Sequence, residues 1–242
     1  MLARVLILTR LHLCSLARKP LSMNDFSETS PQEKIQEALT LLSIHAEQFF
    51  GMRDIARRHE HPNPTDTRAW SQILVSCLTG IPGLGRKKGA DLADGSDVKA
   101  ANVWDAIDTP RFNGCIKAGT QASSSDNISS LDNMPNLYFV LWDSNPETRR
   151  PRCRVWVVRT QHDNEFRRIA GIWYGKRDRG EIISTNFQLH PPRNINSNIF
   201  RNSCGHLEYP LLFSAEYSGK NYSLTHFNEA IAVSGCCSRV DD

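Results

Sequence analysis

The early part of the chain carries apolar residues at helical spacing after a clear start signal. Ser30 can cap a helix, Pro31 suits the first helical position, and Glu33 completes a capping box three residues after the cap. Apolar residues then recur every three or four positions over residues 35–49. The pattern predicts a helix that ends near position 50, where Gly51 can stop it.

A second helical pattern follows a loop that contains two prolines. It predicts a helix from about Asp66 to Leu78, because apolar residues again recur at helical spacing. The side chains expected on its buried face are Trp70, Ile73, Leu74 and Cys77.

Three later segments have the composition of β-strands. Residues 137–142 are apolar almost without interruption, which is typical of a strand buried on both faces of a sheet. Residues 154–158 predict a second strand after a turn at 143–151, and residues 169–174 predict a third. Beyond Gln188 the chain is rich in asparagine, proline and aromatic residues, so regular elements are hard to place there. The order of elements indicates a mixed α/β sheet flanked by helices.

Residues 89–101 contain the densest pattern of charged positions with β periodicity. They are predicted to form a hairpin whose three-residue loop is 94–96, with glycine in a left-handed conformation. Side chains alternate along a strand, so Asp97 and Lys99 share one face. In this register Asp91 lies opposite Lys99 on the neighbouring strand, about 5 Å away at Cβ. A two-residue loop at 94–95 would instead pair Asp91 with Val98 and turn it to the other face.

Two carboxylates and one ammonium group at this distance suit phosphodiester hydrolysis. Asp91 and Asp97 repel each other, and a hard divalent cation such as Mg²⁺ relieves that repulsion with oxygen ligands. The Val98 carbonyl is a natural third ligand, since it lies between Asp97 and Lys99 in the chain. Lys99 would stabilise charge in the transition state or orient the attacking water. The predicted catalytic residues are therefore Asp91, Asp97 and Lys99.

This arrangement resembles the PD-(D/E)xK nuclease signature. Asp91 stands for its first acid and 97–99 for its second acid and lysine, while Ala90 occupies the place of the proline. Residues 89–102, 107–113 and 200–211 further resemble the MamI family of type II restriction endonucleases. The resemblance implies a restriction-endonuclease-like mixed sheet flanked by helices, Mg²⁺ as cofactor, and a homodimer that cleaves double-stranded DNA at an interrupted palindrome of the form GATNNNNATC.

Three other acids are alternative or additional candidates for metal ligands. Asp94 is close enough in sequence to replace Asp91, although a turn role suits it as well. Nucleases of this kind sometimes add an acid from the first helix, where Glu37 and Glu47 are found. Each of these two is better explained as a solvated helix charge.

Basic residues predict where DNA is bound. The chain carries a formal net charge of +3, which alone decides nothing, because the distribution of charge sets the local field. One basic run directly precedes the predicted site, and a second set lies within residues 149–179, where arginine far outnumbers acids. The predicted DNA-binding residues are Arg86, Lys87, Lys88, Arg149, Arg150, Arg152, Arg154, Arg167 and Arg168.

The remaining sequence features bear on organisation and location. Residues 1–22 are rich in arginine and lack acids, which indicates either a targeting-like extension or an upstream start codon before Met23. Residues 23–242 are predicted to form a single nuclease domain. None of the seven cysteines is spaced as C-x-x-C, the pattern of a zinc ribbon or a redox site, which suggests reduced thiols in the cytoplasm. No stretch is apolar enough to predict a membrane span.

Two other functions fit the same residues. A repair or junction-resolving nuclease could use the same fold and the same acids. A non-catalytic DNA-binding module would bind duplex with a steep salt dependence but show no metal-stimulated cleavage. Both acids and the lysine of the nuclease signature are present in this sequence, which favours an enzyme over a module whose catalytic site is degenerate.

Overall fold

A computed structural model of the protein describes residues 29–58, 66–84, 89–104, 109–117, 128–192 and 197–232. The predicted extension 1–22 lies outside these residues, as does the basic run formed by Arg86, Lys87 and Lys88. The division of the chain at Met23 therefore stays a prediction.

A five-stranded mixed sheet forms the centre of the fold. The described strands are β1 (Asp97–Asn102), β2 (Phe112–Lys117), β3 (Leu137–Ser144), β4 (Pro151–Val158), β5 (Asn186–Leu189), β6 (Ile199–Asn202), β7 (Gly205–Glu208), β8 (Leu211–Tyr217) and β9 (Tyr222–Phe227). The sheet order is β1-β3-β4-β8-β9, while β2 pairs with β5 and β6 pairs with β7 in two small antiparallel sheets.

Strand β3 joins the parallel and the antiparallel parts of the sheet. Its residues from Leu137 to Asp143 are buried, as the apolar run predicts for a strand covered on both faces. It pairs in parallel with β1, which places Lys99 beside Phe139, and antiparallel with β4. The two predicted strands at 137–142 and 154–158 are thus confirmed, each with slightly wider bounds.

Helices cover the sheet. They are α1 (Pro31–Arg58), α2 (Arg68–Thr79), α3 (Asn164–Asp178) and the short α4 (Glu229–Ala232). One core contains Leu42, Leu74 and Val98 and lies between the sheet and the pair α1 and α2. The other contains Phe139 and Trp173, on the side of α3 and the small sheets. The mixed α/β fold with helices on the sheet confirms the predicted fold class.

The start of α1 is as predicted and its end is not. The Ser30 hydroxyl and backbone N–H both donate to the Glu33 carboxylate, at 2.8 and 2.9 Å, which forms the capping box. The helix continues past Gly51 to Arg58, so the predicted stop at Gly51 is wrong. A single helical glycine costs only about 1 kcal/mol, which the packing of neighbours such as Phe49 and Phe50 can offset.

Helix α2 presents a different face to the core from the one predicted. Its buried residues are Ser71, Leu74, Val75 and Leu78. Ile73, predicted to be buried, is 50% exposed, while Trp70 and Cys77 are half-buried. The difference arises because Ser71 is a core residue: its hydroxyl donates to the Thr67 carbonyl and accepts from the Trp142 indole N–H at 2.9 Å.

Residues 169–174 lie inside α3, so the strand predicted for them is wrong. The buried residues of this helix are Phe166, Ile169, Ala170, Trp173 and Tyr174, at the spacing of one helix face. Asp163 caps the helix by accepting from the Phe166 N–H at 2.7 Å. Residues 169–174 taken alone are too short a segment to show this helical spacing, which becomes visible only when Phe166 is included. In the part of the chain that the structure describes, no helix is long and apolar enough to cross a membrane.

Burial of His45 predicts acid sensitivity of the fold. His45 is buried among Phe49, Trp70, Trp104 and Trp142, and its Nδ1 has no hydrogen-bond partner among the described residues. Burial lowers the pKa of His45 from 6.5 to about 4. The unfolded chain then binds the proton more readily, so stability is full above pH 6.5 and is lost as the pH falls towards 4.

We therefore expect His45→Phe to remove part of the acid destabilisation. Between pH 7.5 and pH 5 the free energy of unfolding should fall by about 2 kcal/mol less in this variant than in the original chain. Urea unfolding at the two pH values measures the difference. The exposed His162→Phe serves as the control and should keep the original pH dependence. Equal slopes for His45→Phe and the original chain would contradict the assignment.

Candidate active site

The segment before β1 is a compact turn, not a strand. Strand β1 begins at Asp97 and pairs with the distant β3, so the predicted hairpin of residues 89–101 is wrong. The Gly95 N–H donates to the Leu92 carbonyl at 3.1 Å, and Gly95 has φ +93°, the left-handed conformation expected of it. Residues 82–84 hold this turn from the other side, through the bonds from Leu84 N–H to the Asp91 carbonyl and from Ala93 N–H to the Pro82 carbonyl.

Asp94 serves the turn. Its carboxylate accepts from the Ser96 N–H at 2.9 Å and from the Ser96 hydroxyl at 2.8 Å. Asn136 then donates to the Ser96 hydroxyl, and its own carbonyl accepts the Asp97 N–H. These bonds attach the turn to the start of β3 and set where β1 begins. They support the turn role for Asp94 that the sequence left open.

The three predicted catalytic side chains nevertheless come together. The Val98 N–H donates to Asp91 Oδ2 at 2.9 Å and to Asp97 Oδ1 at 3.0 Å. Lys99 Nζ lies 2.6 Å from Asp97 Oδ2. One backbone N–H is therefore shared by two carboxylates, and one of these also binds the ammonium group.

The direction of the Val98 peptide group follows from the strand. The Asp97 N–H points towards β3, where it donates to the Asn136 carbonyl. Polar backbone groups of successive residues in an extended strand point to opposite sides, so those of Val98 face the outer edge of β1. The turn 89–96 folds back along this edge and brings Asp91 to the Val98 N–H.

Asp97 and Lys99 share a face of β1, as the alternation predicted. Their side chains are 20% and 16% exposed, so the ion pair is sheltered but open to solvent on one side. A pair in this position retains more of its electrostatic energy than one on the open surface. It holds the Lys99 ammonium beside the two carboxylates.

The closeness of the carboxylates changes the acidity of Asp91. Burial first, then the hydrogen bond with Asp97 and the negative charge of Asp97, raises the pKa of Asp91 from 3.8 to about 7. The Val98 N–H and the Lys99 charge act in the opposite direction but do not cancel the rise. Two carboxylates in contact share a proton or a cation in preference to both being ionised.

A fourth residue of the cluster, Gln72, was missed by the sequence analysis. Its Nε2 donates to Asp91 Oδ1 at 2.6 Å from a half-buried position on α2. The bond joins residues 19 positions apart, and nothing in the local sequence marks a helical glutamine as a partner of a later turn. Only the packing of α2 against β1 brings them together.

The acids proposed as alternatives do not join this cluster. Glu37 and Glu47 are exposed on α1, as expected of solvated helix charges. Among the residues that the structure describes, no three side chains of histidine, cysteine, aspartate or glutamate lie together as a metal-binding group. The site therefore consists of two acids, one lysine, one glutamine and the Val98 peptide group.

This donor set fits a hard divalent cation. Mg²⁺ prefers one or two carboxylates, takes oxygen ligands and keeps several waters, so two acids are sufficient. Burial above all, and contact with Asp97 after it, raise the pKa of Asp91, and the charge of a bound cation would favour the ionised carboxylate against both. Asp91, Asp97 and the Val98 carbonyl are the groups that would hold it.

Two of the predicted DNA-binding arginines are buried structural residues. Arg152 and Arg154 are 6% and 3% exposed, and each donates to Asp143 Oδ2 at 2.7 Å. The prediction that they lie on a DNA-facing surface is therefore wrong. They extend inwards from β4 because the buried Asp143 carboxylate on β3 needs positive partners.

The other described arginines of this set reach the surface. Arg149 and Arg150 are exposed in the turn between β3 and β4. Arg167 and Arg168 lie on α3, where they pair with Asp132 and Glu165 at 2.8 and 2.9 Å. Arg149 and Arg150 have no such acidic partner among the described salt bridges, so they are the better candidates for contact with an anionic ligand.

The raised pKa of Asp91 predicts that the site destabilises the metal-free protein. The folded chain binds this proton more tightly than the unfolded chain, so the contribution to stability is full below pH 3.8 and is lost as the pH rises to about 7. Asp91→Asn should therefore raise the free energy of unfolding at pH 8 in EDTA by about 1 kcal/mol, or a few degrees in melting temperature.

Calorimetric melting at pH 8 and pH 4 checks this expectation. The gain should shrink at pH 4, where Asp91 carries its proton in the folded state and in much of the unfolded state. Asp178→Asn, at an exposed site on the last turn of α3, is the matched control and should leave both melting temperatures unchanged. Asn has one acceptor oxygen in place of the two that Gln72 and Val98 use, so the change between the two pH values is the informative quantity. The same effect of Asp91→Asn at pH 8 and at pH 4 would show that the carboxylate charge does not oppose folding.

Comparison with known proteins places the chain in a family. The sequence profile of the family described as MamI restriction endonuclease matches residues 54–222, well over half of the chain and including the whole cluster. The type II restriction enzyme MamI of Microbacterium ammoniaphilum is 31% identical over 177 residues. That similarity covers 63% of this chain and 53% of the relative, so the chain spans about half the length of the curated relative.

No solved structure matches the chain. The fold is accordingly known from the arrangement described above, and the family from the sequence match, which contains both acids, the lysine and strands β1, β3, β4 and β8 of the central sheet. The chain belongs to the MamI restriction endonuclease family.

Proposed function

We propose that this chain is a type II restriction endonuclease that hydrolyses phosphodiester bonds of double-stranded DNA at a specific site with the help of Mg²⁺. The observation that carries the proposal is the Val98 N–H shared between Asp91 and Asp97, with Lys99 bound to the second acid. Membership of the MamI family supports it.

The two carboxylates and the Val98 carbonyl would hold the cation. When bound, Mg²⁺ supplies polarisation of the scissile phosphate and makes a nearby water more acidic. The chain's own part is to hold the two carboxylates close together, on either side of the Val98 N–H, in a position to receive a cation. Since the pKa of Asp91 is about 7 without a cation, loss of that proton accompanies loading of the site.

Lys99 would act on the phosphate. Its ammonium lies 2.6 Å from Asp97 Oδ2, so the ion pair holds it beside the acids before a substrate binds. From there it can stabilise negative charge that builds up on the phosphate oxygens or orient the attacking water. A fixed cation of this kind stabilises the transition state more than the ground state, which is the requirement for an increase in rate.

Arg149 and Arg150 are proposed as phosphate contacts that position the duplex. Both are exposed, and they are adjacent in a short turn, so they can follow one strand of the DNA backbone. Arg167 and Arg168 on α3 belong to the same proposal with the weaker support of their existing ion pairs. Arg86, Lys87 and Lys88 remain candidates from the sequence alone.

The finer details of the proposal rest on the family. An interrupted palindrome such as GATNNNNATC is read most simply by a two-fold symmetric homodimer, with one active site on each strand. DNA as substrate would place the protein in the cytoplasm. Mapping the ends of fragments from a sequenced plasmid tests the recognition site, because discrete bands with common end sequences are expected.

The two residues of the ion pair should be essential for cleavage. Asp97→Ala and Lys99→Ala should each reduce plasmid cleavage in Mg²⁺ by at least about a thousandfold, because each removes a group that acts on the reacting phosphate. Binding of the same DNA in Ca²⁺ should stay within a few-fold of the original value. Cleavage assays and gel-shift titrations measure the two quantities.

Exposed residues of the same type provide the controls. Asp178→Ala and Lys220→Ala should leave cleavage unchanged. Cleavage at the original rate by Lys99→Ala would refute the assignment of the site. Cutting of branched DNA with no action on linear duplex would identify a junction-resolving nuclease, and tight binding without any cleavage would identify a DNA-binding module.

The arginine turn should contribute to the salt dependence of DNA binding. The double variant Arg149→Gln and Arg150→Gln should bind DNA more weakly, and the slope of log K against log salt should fall by about 0.9 for each phosphate that the protein no longer neutralises. Cleavage at saturating DNA should persist. Arg179→Gln, which removes an exposed arginine paired with Glu181, is the control. An unchanged slope in the double variant would exclude this turn from the DNA interface.

A further inference from the structure

We propose that Gln72 is a positioning residue of the active site, which holds the Asp91 carboxylate in the orientation that a divalent cation needs. The inference rests on the function proposed above. Its basis is the 2.6 Å hydrogen bond from Gln72 Nε2 to Asp91 Oδ1, the one side-chain contact that helix α2 makes with the acids among the described hydrogen bonds.

Gln72 and Val98 hold opposite ends of the same carboxylate. Gln72 donates to Oδ1 of Asp91, and the Val98 N–H donates to Oδ2. With both oxygens bound, the carboxylate cannot rotate about its terminal bond without breaking one of the two hydrogen bonds. The plane of the carboxylate is thereby set before any cation arrives.

The choice of oxygen matters. Asp91 Oδ2 and Asp97 Oδ1 accept from the same N–H, so these two oxygens lie side by side. Gln72 binds the remaining oxygen, which keeps Oδ2 turned towards Asp97. Without Gln72, repulsion between the ionised carboxylates would turn Asp91 away, because only the Val98 N–H would oppose it.

Helix α2 gives Gln72 a rigid base. The preceding residue, Ser71, is buried and bound to the Trp142 indole of β3, and Leu74 and Leu78 pack in the core with Val98. Asp91, in contrast, lies on a turn outside the central sheet. The side chain from the helix therefore supplies the positional restraint that a β-ladder would otherwise give.

An amide is the side chain that can do this without changing the charge of the site. The glutamine amide is neutral and keeps its two N–H donors at every pH, so it can donate to the carboxylate whenever this is ionised. A lysine in its place would neutralise Asp91 and compete with a cation, and a glutamate would add a third negative charge next to two others. Outer hydrogen bonds of this kind change metal affinity by roughly 10- to 100-fold.

The test uses the full chain and measures binding of Mn²⁺ alone by calorimetry, with no DNA present. Gln72→Leu keeps the approximate size of the side chain and removes the donor. It should bind Mn²⁺ about 10- to 100-fold more weakly, while its melting temperature in EDTA stays within a few degrees of the original. Gln36→Leu makes the same change at an exposed position of α1 and should alter neither quantity.

A second variant separates a positioning role from direct ligation of the cation. If the Gln72 oxygen were itself a ligand, Gln72→Glu would provide a stronger ligand and cleave DNA at the original rate or faster. As a donor to Asp91, Gln72 cannot be replaced in this way. Gln72→Glu should therefore cleave no faster than Gln72→Leu at saturating Mg²⁺, and cleavage at the original rate would overturn the positioning role.

Asp97→Ala in the same calorimeter separates the role of Gln72 from the metal site itself. Loss of Mn²⁺ binding in Asp97→Ala with unchanged binding in Gln72→Leu would reject the role of Gln72 and leave the proposed function in place. Unchanged Mn²⁺ binding in Asp97→Ala would reject the metal site and, with it, the positioning role. Weaker binding in both variants, with folding preserved, supports both.

Discussion

The site depends on one hydrogen-bond donor, the Val98 N–H, which two carboxylates accept at 2.9 and 3.0 Å. This donor is available because β1 is the edge strand of the central sheet, so alternate peptide groups of β1 face away from β3. The buried Val98 side chain fixes the peptide group from the core side. Asp97 is the first residue of β1, so the strand itself places its carboxylate. Asp91 lies on the preceding turn, which the hydrogen bonds from Ser96 to Asp94 keep closed.

The cluster is an unfavourable element in a well-packed fold. Burial and contact with a second acid raise the pKa of Asp91 to about 7, so the ionised site opposes folding at neutral pH. The surrounding core offsets this with fully buried residues such as Leu74, Leu92 and Phe139. A gain of stability when a carboxylate is neutralised is the behaviour expected of a site shaped for a ligand and not for the empty fold.

The sequence predicted the composition of the site better than its architecture. Alternation within β1 is local, so the shared face of Asp97 and Lys99 could be inferred directly. The partner of β1 is 40 positions away, and a hairpin to the preceding residues is the simplest local alternative, which is why the wrong strand was predicted around Asp91. The prediction of the cluster survived that error because a turn along the strand edge brings Asp91 to the same place as a hairpin would. Gln72 could not be found, since its role depends on how α2 packs.

Charge along the chain was the least informative signal, and the reason is physical. Arg149, Arg150, Arg152 and Arg154 lie within six positions of one another. Arg152 and Arg154 on β4 extend towards the buried Asp143, while the turn leaves Arg149 and Arg150 in solvent. A buried carboxylate requires cations as strongly as a DNA phosphate does, so arginine density alone cannot separate the two. What separates them is the acid on the neighbouring strand, which is visible only when the register of β3 and β4 is known.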